Sequence, residues 1–391
     1  MKILMIAPQP FFKPRGTPFS VLERLKALSH LGHEVDLLTY HLGQEVFVPN
    51  VVIHRTPHFG FIQAVRIGPS LTKLFLDVVL LVKAFRFLQK GRYHLIHAHE
   101  EASFFGVLLA KHFGIRHLYD MHSSLPQQLT LSRCRYARFA PLIRSFKWLE
   151  HYAIQSTDAV ITICPELEKH VKNVNGRVPQ MMIEDVVFDE NPQAVSEGHL
   201  QRFRETHSLN GKRVVLYTGN FEPYQGLDLL VASAERVLRQ QKDVVFLLMG
   251  GDPDQIRDCR NRVRILGLLP HFRFTGLRPH EELPQAIRLS HVLVSPRIGG
   301  TNTPLKIYSY LQSGKPIVAT DLLTHTQVLS SDAALLVKPE PNAFAQGIIS
   351  VLEDPQLARR LGTGARKFFE NRYSFQTFTK KTEQILEAAL K

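Results

Sequence analysis

Cysteine is scarce. The 391 residues hold three, Cys134, Cys164 and Cys259, with no C-x-x-C spacing. That excludes a disulfide framework and a cysteine-built zinc site, and it points to a reducing compartment and a cytoplasmic chain. Long apolar runs are missing too. No charge-free stretch approaches the ~18–20 residues of a membrane span. The most apolar segment, 71–88, is interrupted by Lys73, Asp77, Lys83 and Arg86. The opening MKILMIAPQP has too short an apolar core for a secretory signal. There is no Walker A sequence and no G-x-G-x-x-G after the first apolar run, which disfavours ATPase and NAD(P) chemistry. Acidic residues are outnumbered, 35 against 48 Lys and Arg, for a net charge of +13. At 44% hydrophobic and 21% charged, the chain is not disordered, collagen-like or coiled-coil, and its length suits two or three domains.

The positive charge is concentrated. Residues 61–147 hold 13 Lys and Arg against 4 Asp and Glu. Such a zone suits an anionic partner, or is a solvated basic face. Within it, 67–92 has Leu71, Leu74, Phe75, Val78, Val79 and Val82 close to helical period. The segment 133–148 mixes five basic residues, Arg135 and Arg138 among them, with Tyr136, Phe139, Phe146 and Trp148. Both read as amphipathic surface for peripheral contact with an anionic membrane, or as helices whose apolar faces pack on a core.

The chain alternates strand and helix. KILMIAP (2–8) is followed by a breaker-rich loop, a helix over 19–31 ended by Gly32, and a strand over 34–40. Further strands are expected at 51–56, 94–99, 116–122 and 159–164. The stretch 184–211 is polar, with Pro192 and Gly198, and reads as a linker. Alternation then restarts: strands at 213–219, 243–251, 273–276, 291–297, 316–321 and 334–337, helices between them, and helices at 341–353, 355–370 and 375–390. This predicts two doubly wound α/β domains, 1–190 and 191–372, with a terminal helix, 373–391, crossing back to the first. Ligands of open α/β sheets bind at the C-terminal edges of strands, so the loops after the strands should carry the chemistry.

The most informative loop is SPRIGGTNTPLKIYSYLQSGKPIVATD (295–321). A strand ends, Gly299 and Gly300 follow, then Thr301, Asn302 and Thr303, and a helix is expected to open at Pro304-Leu305 with Thr303 as N-cap. A helix start after glycines offers free N–H groups to a phosphate. Arg297 and Lys306 flank it with fixed charge.

Lys306, Tyr310, Gly314, Lys315, Pro316 and Ala319-Thr320 in this segment resemble the donor-site segment of family 4 glycosyltransferases, of pattern K-x-x-E-Y-x-x-x-G-K-P-V-V-A-T. The resemblance extends through GHEVDLLT (32–39), DMHSSLP (120–126) and TDAVITICPEL (157–167), and covers most of the chain in order. It implies the two-domain GT-B fold and transfer of a sugar from a nucleotide-sugar donor to an acceptor hydroxyl on a glycan or lipid-linked molecule. It implies retention of anomeric configuration, no cofactor, no metal and no nucleic-acid partner. Counting back from Gly314, the family's paired glutamates fall on Ser309 and Thr301. In the loop 218–230, Gly219 and Gly226 match, but Asn220 and Gln225 stand where the family grips the diphosphate with Arg and Lys. Arg297, Lys306 or Arg278 would supply the missing charge.

The resemblance places His122 beside the donor sugar, Arg15 and Gly16 near the donor phosphate and acceptor, and Gly250 in a turn near the nucleotide. Glu100, after HLIHAH, is a candidate acceptor-side carboxylate. His97 and His99 share a strand face with no third ligand evident, so no metal is expected. The alternatives are an epimerase or phosphorylase of the same fold, or a non-catalytic basic binding module.

Overall fold

The structure is a computed structural model that describes residues 1–391 except 13–15, 66–69, 127–139, 189–194, 280–281 and 301. Arg15, Arg135, Arg138 and Thr301 therefore lie outside the described residues. The chain divides into two units, Met1–Val186 with Phe375–Lys391, and Val187–Ser374.

The first unit is built on seven parallel strands: β1 (Lys2–Ala7), β2 (Glu34–Thr39), β3 (Val51–Arg55), β4 (Leu95–His99), β5 (Arg116–Met121), β6 (Ala159–Thr162) and β7 (Gln180–Met182), in spatial order 3-2-1-4-5-6-7. The strands read as continuous apolar runs because both faces are covered. Ile3, Leu4, Met5 and Ile6 have no exposed surface. Parallel pairing demands long crossovers, which the helices Thr17–His30, Leu71–Lys90, Ala102–Phe113, Ala140–Ser156 and Pro165–Val174 supply. The terminal helix, Phe375–Leu390, packs against Thr17–His30, with the His30 and Phe375 rings 5.6 Å apart.

The Leu71–Lys90 helix is apolar nearly all round, and the periodic row lies on its exposed side, in line with the surface reading and not with the core-packing one. Leu76, Leu80, Ala84 and Leu88 are buried, while Leu71, Leu74, Phe75, Val78 and Val82 are exposed. Strand β7 has only three residues and escaped the sequence reading. The expected linker is partly structured: Ile183, Val186 and Val187 are buried, and Ser196 caps a helix over Glu197–Thr206.

The second unit has six parallel strands: β8 (Arg213–Thr218), β9 (Val244–Met249), β10 (Phe272–Gly276), β11 (Val292–Ser295), β12 (Ile317–Thr320) and β13 (Leu335–Val337), in order 10-9-8-11-12-13. The direction of winding reverses between β8 and β11, where loops diverge and open α/β sheets form their crevice. The loops after β8 and β11 are the two glycine-bearing segments the sequence singled out.

Candidate active site

In the second unit, glycines let the loops after β8, β9 and β11 meet. Gly219 has φ +134° and its N–H donates to Met249 O at 3.0 Å. Gly250 has φ +115°, and any Cβ there would overlap the Gly219 carbonyl. Gly226, at φ +73°, lies so close to Pro296 that a Cβ would overlap that carbonyl. The β8 and β11 loops are tied further by Ile298 N–H donating to Tyr224 O at 2.9 Å. Behind them, buried His325 braces two strand ends, with Nε2 2.8 Å from Ser295 Oγ and Nδ1 2.8 Å from Thr320 O. Burial lowers its pKa to about 4, so it is neutral.

Two cations sit at this switch point. Arg297 is 9% exposed; its Nε donates to Gly299 O at 2.7 Å and its guanidinium lies 5.1 Å from the Tyr224 ring centre. Gly300, at φ +100°, lets the guanidinium fold back, since a Cβ there would strike Arg297 Nη2. Lys306 opens the Lys306–Ser313 helix and packs its Nζ 3.8 Å from the centre of the Tyr217 ring. That nitrogen is buried with no acceptor among the described residues. Burial and then the Arg297 charge hold its pKa well below the usual lysine range. Lysines are seldom covered without a partner, because desolvating an unpaired ammonium is costly.

The helix start differs from the one the sequence suggests. The helix begins at Lys306, not Pro304, and its N-cap is Leu305, which makes no side-chain cap. The Thr303 hydroxyl instead accepts from Gln327 Nε2 at 3.0 Å, while Pro304 and Leu305 make a tighter turn through Ile307 N–H to Pro304 O and Tyr308 N–H to Leu305 O. Pro304 is buried; Asn302, Leu305 and Ser309 are half-buried. Asn220 is exposed and its carbonyl accepts from Tyr217 OH at 2.6 Å. Gln225 is buried in a short turn, with Oε1 meeting no donor among the described residues. Arg278 is exposed and its charge is engaged by Glu282 at 2.8 Å.

In the first unit, the C-terminal ends of β4 and β5 gather a buried ionic cluster. Alternation puts His97 and His99 on one face of β4, and the register sets His99 opposite Asp120 of β5. Asp120 Oδ2 accepts from Arg24 Nε at 3.0 Å and lies 3.1 Å from His97 Nε2; all three side chains are fully buried. His122 follows β5. Its Nε2 lies 3.0 Å from His99 Nδ1 and 3.3 Å from Asp120 Oδ1, and its Nδ1 lies 3.1 and 3.2 Å from the two oxygens of Asp185. Burial alone would depress the His122 pKa, but Asp185 and Asp120 hold it up at about 9. Glu100 follows β4 at φ +51° and accepts from Ser123 Oγ at 2.8 Å. Burial raises its pKa to about 7, against the pull of His122. Gly16, exposed at φ +44°, precedes the Thr17–His30 helix.

The sequence reading missed Arg24, Asp120 and Asp185. Asp120 had a signal: D-x-H on β5 beside H-x-H on β4 is a period-two pattern on facing positions. It also supplies the third potential ligand that His97 and His99 lacked. Arg24 donates to the Asp120 oxygen nearest His97, so that oxygen already serves an ion pair.

Comparison with known proteins agrees across both units. Residues 15–183 match the family profile described as glycosyl transferase 4-like domain, and residues 212–354 that described as glycosyl transferases group 1. The chain is 26% identical over 380 residues to a phosphatidyl-myo-inositol mannosyltransferase of Mycolicibacterium smegmatis, covering 94% of this chain and 88% of the relative. It is 23% identical over 290 residues to the alpha-D-kanosaminyltransferase of Streptomyces kanamyceticus, covering 71% and 73%. Among solved structures, sucrose-phosphate synthase of Thermosynechococcus elongatus superimposes with TM-score 0.80 at 20% identity, covering 99% of this chain and 98% of that one. Anabaena HepE, solved in complex with UDP, gives TM-score 0.74 at 19% identity, covering 99% and 100%. With its two parallel-sheet units each matched in order, the chain belongs to the family 4 glycosyltransferases of GT-B fold and is a transferase.

Proposed function

We propose that the second unit binds a nucleotide-sugar donor, with its diphosphate on the loops after β8 and β11, and that the sugar passes to an acceptor hydroxyl. The observation that carries this reading is Lys306, whose buried nitrogen meets no acceptor among the described residues at the switch point of its sheet. An anionic diphosphate supplies the missing acceptors. Arg297 provides the second charge that Asn220 and Gln225 lack, and the glycines allow close backbone approach. The named relatives support a sugar donor, and the UDP bound by HepE supports a nucleotide handle.

Chemically, the bond from the anomeric carbon to the phosphate oxygen breaks as the acceptor oxygen bonds to that carbon. Negative charge grows on the departing diphosphate, where preorganised cations and N–H groups lower the barrier without requiring a metal. In the retaining course proposed, the acceptor approaches on the leaving-group face and its proton passes to the departing phosphate oxygen. Glu100 is the candidate contact for the acceptor, and His122 for the donor sugar.

The acceptor proposed is lipid-linked. The exposed row Leu71, Leu74, Phe75, Val78 and Val82 continues at Phe61, whose ring is 6.3 Å from Phe75. With Lys83 and Arg86 on the same helix, it suits a peripheral seat on an anionic bilayer. No helix among the described residues is long and apolar enough to cross a membrane.

Calorimetry of the intact chain with UDP, GDP and ADP tests the donor reading. Binding of one of them is expected; heat from none of them overturns it. Product NMR with the selected donor, with and without EDTA, then reads anomeric configuration and metal dependence.

A further inference from the structure

His122 is gripped at both ring nitrogens by carboxylates that arrive from different places in the fold. Asp120 lies two residues earlier on β5, so the strand's own pleat puts it on the Nε2 side. Asp185 lies 63 residues later, beyond β7, and both of its oxygens fall within 3.2 Å of Nδ1. Lys381 of the terminal helix bonds the adjacent Glu184 at 2.9 Å, and Arg24 donates to Ile183 O at 2.8 Å. The short segment that carries Asp185 is thus clamped from two helices. Asp185 is 9% exposed, and the ring it holds is 4% exposed.

We propose that Asp185 is a positioning residue for glycosyl transfer, fixing the plane and rotation of the His122 imidazole at the end of β5. This rests on the reading of His122 as the donor-sugar contact. The physical reason is the cost of a loose ring. Asp120 and His99 meet the ring at Nε2, and a ring held at one nitrogen can pivot about it. Holding Nδ1 as well leaves one orientation. The two anions also balance an imidazolium in a place where burial would otherwise strip its proton, with Arg24, His97, His99 and Glu100 the other ionisable groups around it. Misplacing a reacting or contacting group by about 1 Å costs on the order of 100-fold in rate.

The test uses the full chain and the variants Asp185→Leu, Asp185→Asn and His122→Ala. The readout is release of UDP from UDP-glucose, or of GDP from GDP-mannose if calorimetry selects guanine. Asp185→Leu should lower kcat by about 100-fold with donor KM within about twofold. Asp185→Asn, which keeps an acceptor, should recover to within about tenfold of the parent. Full kcat in Asp185→Leu, or a change confined to KM, overturns the proposal. If His122→Ala abolishes turnover while Asp185→Leu does not, only the positioning role falls. If His122→Ala is fully active, the reading of His122 falls, and the role of Asp185 with it. Independently of turnover, 15N NMR of histidine-labelled chain, assigned with His122→Gln, should show His122 ring signals that change in Asp185→Leu and change less in Asp185→Asn. Identical His122 signals in all three proteins overturn the proposal.

Discussion

Lys306 Nζ lies 3.8 Å from the centre of the Tyr217 ring, on the face of an aromatic side chain that is itself fully buried. The ring's quadrupole attracts the cation, but a cation–π contact returns only about 2 kcal/mol when desolvated. An unpaired buried ammonium costs more than that. The fold therefore carries a local penalty at the switch point, of the kind found where binding energy is collected. Lys306→Met should raise the unfolding midpoint while weakening nucleotide-sugar binding by tenfold or more, as charge-assisted hydrogen bonds of about 1.5–3 kcal/mol are lost. Calorimetry and thermal unfolding check both halves. Unchanged donor affinity would remove Lys306 from the site.

Gly226 and Pro296 make the closest approach of the β8 and β11 loops. Gly226→Ala should destabilise the chain by about 2 kcal/mol or more, because it combines a left-handed backbone with overlap on the Pro296 carbonyl. Gly211→Ala is the control: φ is +64° but nothing lies within 4 Å, so only the conformational cost of about 1 kcal/mol applies. Only Gly226→Ala should also reduce donor affinity. Equal effects of the two substitutions on stability and binding would show that the contact does not matter.

The proton-holding groups of the first unit should contribute less stability as the solution becomes alkaline. His122, Glu100 and Asp77 all hold a proton more tightly in the folded chain. His122 is held at about 9 by Asp185 and Asp120 against burial; burial lifts Glu100 to about 7, and burial with Glu101 lifts Asp77 to about 8. Each contribution is full below the unfolded values of 6.5, 4.5 and 3.8 and is lost as pH climbs through the folded ones. The stability that Asp185 adds by holding the His122 proton, read as the midpoint difference between the parent and Asp185→Asn, should therefore shrink as pH climbs from about 6.5 to about 9. A difference that stays constant over this range would contradict the ionic cluster.

The exposed row on the Leu71–Lys90 helix predicts surface binding. Leu74→Glu with Val78→Glu should reduce cosedimentation with phosphatidylglycerol-rich vesicles and leave nucleotide binding intact, since both side chains face away from the core. Undiminished pelleting would assign the row another role.

Most element positions were legible in the sequence, the short strand β7 excepted, while the spatial order of the strands was not. Buried parallel strands must be apolar throughout, their helices must be periodic, and Gly or Pro must punctuate the joins. The 341–353 helix is found at the expected bounds, Pro341–Glu353. The segments Gly219–Gly226 and Arg297–Lys306 were legible as well, because close backbone approach admits only glycine and phosphate sites favour fixed cations. Three further things were decided only by the tertiary structure. The core face of the Leu71–Lys90 helix was one, since a helix apolar on every side has no periodic signature of its buried stripe. The start of the Lys306–Ser313 helix was another, since Gln327 claims the Thr303 hydroxyl from a distant turn. The cluster of Arg24, Asp120, His122 and Asp185 was the third. Its members are up to 161 residues apart, and charge partners across that separation are brought together by sheet register and chain return, which no local pattern encodes.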